Sequence, residues 1–107
     1  GVVFMVGTDS GIPMKFHCQS TWNELDVLVR VMGLPVMDVI RSAVYWPAVM
    51  MDVEADLGTV SAGKFADIIA VRGDVLEYIS LLQRVDFVMK GGVVYKHDGR
   101  ATAAALP

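Results

Sequence analysis

The sequence predicts an α/β chain with one buried strand, then helices, then a cluster of short antiparallel strands. Three observations predict it. Val2 to Val6 is an unbroken apolar run between Gly1 and Gly7. Between Thr21 and Met51, apolar side chains recur at helical spacing. After Asp52 the pattern changes to brief apolar stretches punctuated by glycine turns.

The apolar run at Val2–Val6 suits a strand covered on both faces, as in a parallel sheet. Such a strand needs neighbours on both sides, and no nearby segment has that character. Gly7 to Pro13 reads as a loop. Thr21-Trp22-Asn23-Glu24 matches a capping box and predicts the start of a helix there. Trp22, Leu25, Leu28, Val29 and Met32 continue it, and Gly33 predicts its stop. Pro35 suits the first residue of a second helix, with Val36, Val39, Ile40 and Val44 on one face. Pro47 predicts a third, short helix through Met51. Leu57–Val60 and Ile68–Val71 read as short strands around the turn Ser61-Ala62-Gly63-Lys64. Leu76–Leu82 predicts a helical turn. Val85–Lys90 and Val93–Lys96 flank Gly91-Gly92, a two-residue hairpin signature. His97-Asp98-Gly99 is another turn, and Ala101–Pro107 reads as a frayed tail.

A chain of 107 residues is long enough for one small domain. Hydrophobic residues make up 54%, an excess that points to surface meant for a partner or for further polypeptide. The net charge is -3 with acids and bases interspersed, so there is no basic stripe for nucleic acid. No basic amphipathic helix or long apolar span suggests a membrane. The apolar N-terminus has no basic flank and does not read as a secretory signal. A single cysteine, Cys18, forms no internal disulfide, and a cytoplasmic setting is expected.

The sharpest chemical feature is Gly7-Thr8-Asp9-Ser10-Gly11, directly after the apolar run. In parallel α/β folds, functional groups gather at the C-terminal ends of strands. Asp9 there is a candidate metal ligand and a candidate catalytic acid–base. Thr-Asp-Ser-Gly is equally good turn chemistry, in which Asp bonds local amides. The five residues alone leave both readings open. Ser10 and His17, in the same loop region, are candidates for substrate binding. A structurally bonded or exposed His17 accounts for that residue as well. Cys18 is expected to be an inert thiol, because only Lys15 and His17 lie near it to lower its pKa. Glu24 is explained as the capping-box acid. His97 reads as an exposed turn residue, and Asp67 as a structural hydrogen-bond acceptor. Trp22, Trp46 and the helical methionines read as packing residues.

Taken in order, five blocks resemble the C-terminal part of the amidohydrolase superfamily, in its imidazolonepropionase-like and prolidase-like branch. They are the apolar strand with Gly7-Thr8-Asp9-Ser10-Gly11; His17 with the helix bearing Glu24-Leu25; Pro47-Ala48 followed by Leu57-Gly58-Thr59-Val60; Ser61 to Val71; and Val88-Met89-Lys90-Gly91-Gly92-Val93-Val94-Tyr95. The resemblance implies the last strand and helices of a (β/α)8 TIM barrel over residues 1–52. Part of a small β-sandwich over 53–100 and a tail at 101–107 follow. It also implies that Asp9 is the metal-site acid and proton shuttle, with one or two divalent ions, zinc foremost. Most of the metal's ligands would come from strands that this sequence lacks. Three departures stand out: Cys18 where the family often has Gly, Trp46 where it often has Asn, and Gly73-Asp74-Val75-Leu76 where it often has Gly-Asp-Pro-Leu.

The expected function is therefore that of the C-terminal part of a metal-dependent hydrolase. It would cleave an amide, peptide or cyclic amide C–N bond, and be inactive as an isolated chain. The expected partners are the remainder of the barrel and a small-molecule or peptide substrate, with a homo-oligomer also compatible. No nucleic acid or membrane is expected. The rival class is a non-catalytic assembly module using its apolar surface for docking. A phosphate-binding loop fits poorly, since the Gly-x-x-x-x-Gly-Lys-Ser/Thr spacing is missing.

Overall fold

Helix α1 spans His17–Arg30 and α2 spans Val36–Met50. The computed structural model describes residues 1–11 and 17–106, apart from the side chains of His17 and Cys18. Helix α1 begins four residues before the capping box, so Thr21 and Glu24 lie inside it. A Thr-x-x-Glu pattern is tolerated within a helix, and here the turn before it is helical too. The stop at Gly33 is as expected. Its φ of 70° is one that glycine adopts freely, and its N–H donates to the Val29 carbonyl at 3.1 Å. Asp26, buried on α1, pairs with Arg30 one turn on. The hydrogen bond to Asp26, and then its charge, raise the pKa of the exposed Arg30 guanidinium.

Pro35 is the N-cap of α2 and not its first helical residue, and its carbonyl accepts the Val39 N–H at 3.1 Å. The separate third helix does not exist. Pro47 sits inside α2, which continues through it to Met50. A proline in a helix interior forfeits the bond to the carbonyl four residues back, and its ring presses on that carbonyl. Packing offsets this cost. Ala48 is buried, and the chain returns over it through Val53 N–H to Ala48 O at 2.9 Å.

The core is small. Leu25 of α1, Val39 of α2 and Ile79 form its centre, with Val6, Leu28 and Ile40 among the side chains packed around it. Ile79 belongs to a 3-10 helix, Ile79–Gln83, within the stretch expected to make a helical turn. Leu25→Ala is expected to cost about 2–5 kcal/mol, because its neighbours cannot fill the cavity. Urea unfolding followed by circular dichroism measures this. A loss below about 1 kcal/mol would mean that Leu25 is not a core centre.

Leu57–Val60 is not a strand, since these residues pair with no ladder. Its surroundings form turns instead, with Phe65 N–H on Asp56 O at 2.9 Å and Lys64 Nζ on Glu54 O at 2.5 Å. The sheet is a four-stranded antiparallel meander in chain order: β1 Ile68–Ala70, β2 Phe87–Lys90, β3 Val93–His97 and β4 Arg100–Ala101. Gly91 and Gly92 (φ 55° and 81°) make the expected hairpin turn, placing Lys90 opposite Val93. Asp98 and Gly99 repeat the device at φ 48° and 75°. The tail departs from its expected fraying. Ala101 pairs with Lys96, Thr102 N–H donates to Tyr95 O at 2.9 Å, and Ala103–Ala105 forms a 3-10 turn.

Candidate functional site

Val2–Val6 leads to the candidate site but pairs in no sheet among the described residues. Val2 is 95% exposed, and Val3 and Met5 are exposed as well. The segment is attached at its end. Val6 packs against the core, and its N–H donates to the Ser42 carbonyl of α2 at 3.0 Å. Three residues further on, Asp9 occupies the left-handed region at φ 48°, where Asp is among the few side chains found with any frequency.

The turn at Asp9 is held by its neighbour. Ser10 N–H donates to Thr8 Oγ1 at 3.3 Å, so the hydroxyl of Thr8 takes the amide that an Asx turn would have given to Asp9. Asp9 is exposed, and its carboxylate has no hydrogen-bond or ion-pair partner among the described residues. Ser10 adjoins it and is half-buried. His17 is the first residue of α1 and not part of a loop; its side chain, like that of Cys18, lies outside the described residues, as does the end of the loop expected at Gly7–Pro13.

The other polar candidates lie elsewhere. Asp67 Oδ1 accepts the Gly91 N–H at 2.7 Å and so ties β1 to the hairpin turn. His97 is exposed at the end of β3, with Nδ1 3.5 Å from Asp98 and its ring edge-on to Phe87. Trp46 packs edge-on against Tyr45 at 4.9 Å. Sequence reasoning missed Ser42, which is fully buried and donates Oγ to Val39 O at 2.5 Å. Its one signal was a polar residue three positions after Val39, on the apolar face of α2.

The amidohydrolase family model matches residues 1–95. The chain belongs to the amidohydrolase family. Solved structures place its likeness in the prolidase-like branch. A Xaa-Pro dipeptidase with bound methionine in its active site is 41% identical over 70% of this chain, with a TM-score of 0.67. A putative prolidase from Bifidobacterium longum is 26% identical over 78% of the chain, with a TM-score of 0.64. A prolidase complexed with N-methylphosphonate-L-proline is 26% identical over 68%, with a TM-score of 0.61. The chain spans 18–21% of the length of these three structures. No curated protein matches it. Membership relates this amidohydrolase chain to a TIM-barrel-related fold, whose own share here is a small α/β unit with an antiparallel sheet.

The family uses divalent metals, so the described residues were tested for a place to hold one. Among them, no three His, Cys, Asp or Glu residues gather as a metal would require. Asp9 offers one carboxylate, and the described residues of this amidohydrolase chain do not make a metal centre by themselves. No helix among them is long and apolar enough to cross a membrane.

Proposed function

We propose that this chain is the C-terminal part of a metal-dependent, cytoplasmic amidohydrolase that cleaves peptide or other amide C–N bonds, with Xaa-Pro dipeptides as the first substrate class. The observation that carries this reading is the 41% identity to a Xaa-Pro dipeptidase. In it, residues 1–52 supply the barrel's last strand and helices, 53–100 belong to a β-sandwich and 101–107 are a tail. Further polypeptide provides the remaining ligands for a divalent metal, zinc foremost, and covers the exposed side chains of Val2, Val3 and Met5.

Asp9 carries the chemistry assigned to this chain. An exposed carboxylate without a local partner can take a proton from attacking water and return it to the leaving nitrogen. Ser10 and His17 are assigned to substrate binding beside it.

The test is the full-length polypeptide, assayed on a panel of Xaa-Pro dipeptides and N-acyl amino acids. Hydrolysis is expected, with loss on chelation and recovery on adding zinc. No turnover of any amide under metal-replete conditions would overturn the reading. That result would favour an assembly module, which the exposed Val31, Met32 and Met50 also suit. The 107-residue chain alone is expected to hold less than stoichiometric zinc by elemental analysis. Tight one-to-one zinc would overturn the proposed division of the site.

A further inference from the structure

We propose that Pro47 and Ser42 are positioning residues for the Asp9 carboxylate, acting through the carbonyl of Ser42; this rests on the role given to Asp9 above. Among the described backbone bonds outside regular elements, the one that reaches residues 1–11 from elsewhere in the chain is Val6 N–H to Ser42 O at 3.0 Å. Whatever orients that carbonyl therefore orients the segment that ends in Asp9.

Two features of α2 bear on the Ser42 turn. Pro47 has no N–H for the Ala43 carbonyl, and its ring pushes that carbonyl outward, which opens the helix at residues 42 and 43. The fully buried Ser42 bonds back through Oγ to Val39 O at 2.5 Å, a bond that bends helices and locks the residue's own orientation. An opened, bent turn is what an outside N–H needs in order to reach a helical carbonyl. The packing of Val6 on the core holds the same residue from its side-chain end. Two fixed points at Val6, three residues before Asp9, limit how far the carboxylate can wander. Neither Pro47 nor Ser42 touches substrate in this account.

The experiment is a double-mutant cycle in the full-length enzyme, using Met-Pro hydrolysis and enough protein to follow residual rates. Pro47→Ala restores the helical N–H, and Ser42→Ala removes the back-bond. Each is expected to lower kcat, Pro47→Ala by about 10- to 100-fold, as displacement of a reacting group by about 1 Å does. KM should stay within about twofold, because the lost interaction belongs to the transition state. The thermal midpoint of Pro47→Ala should hold or rise, since alanine suits a helix better. In an Asp9→Asn background neither substitution should reduce the rate further. Undiminished kcat in Pro47→Ala and Ser42→Ala, with Asp9→Asn inactive, overturns the positioning role and leaves Asp9's role standing. Equal losses in both backgrounds overturn it too, since the effect would bypass Asp9. Full activity in Asp9→Asn removes Asp9's role and this inference together. Should Pro47→Ala fail to fold, the Ser42→Ala arm decides by the same criteria.

Discussion

Asp9→Asn in the full-length hydrolase is expected to lower kcat by about 10²- to 10⁴-fold, the range contributed by a positioned general acid–base. Asparagine keeps the size of the side chain and tolerates the left-handed backbone that Asp9 adopts at φ 48°. The turn is held by Ser10 N–H on Thr8 Oγ1, which the substitution leaves alone. Folding should therefore survive, and the loss should be one of chemistry. The measurement is kcat on Xaa-Pro dipeptides beside the thermal midpoint. Activity within about threefold of wild type, at unchanged stability, would remove Asp9 from the reacting centre. A matched loss of both would mark a folding defect, and Asp9→Glu, which keeps the carboxylate, would then be expected to recover part of kcat.

The second large effect is structural. Gly58→Val is expected to cost about 2–4 kcal/mol, from overpacking and a disfavoured dihedral together. Gly58 sits at φ +93°, and a Cβ there would lie 2.9 Å from Ala48 Cβ and 3.0 Å from the Val44 carbonyl oxygen. These are atoms of α2, one of them backbone, so the clash cannot be relieved by turning a flexible side chain. For a chain of this size the thermal midpoint should fall on the order of 10–20 °C. Gly63→Ala is the control. Its φ is +87° with nothing within 4 Å of the new carbon, so only the dihedral cost of about 1–2 kcal/mol remains. Equal losses at the two sites would mean that residue 58 does not press on α2.

The features legible in the sequence are those whose cause is local. Gly91-Gly92 specifies its hairpin because both residues must adopt positive φ, and Gly33 ends α1 for the same reason. The apolar faces of α1 and α2 follow from spacing, and they meet at Leu25 and Val39. The misreadings share an origin in packing across the chain. Pro47 has the chemistry of a helix start, yet burial of Ala48 carries the helix through it. Leu57–Val60 has the residues of a strand, yet its neighbours close turns around Lys64. The candidate site divides in the same way. Asp9 stood out by following an apolar run. Its link to α2 left no mark, because a backbone N–H meeting a backbone carbonyl has no residue type to announce it.

The Val6–Ser42 bond also has a bearing on the order of assembly. The meander closes through two-residue turns, so each strand finds its neighbour over a short stretch of chain. Val6 must instead wait until α1 and α2 are formed and docked, and the closure entropy of that long excursion is charged to a single hydrogen bond and one aliphatic contact. The segment that delivers Asp9 is thus the last to be captured as the chain folds and the first to be released as it breathes.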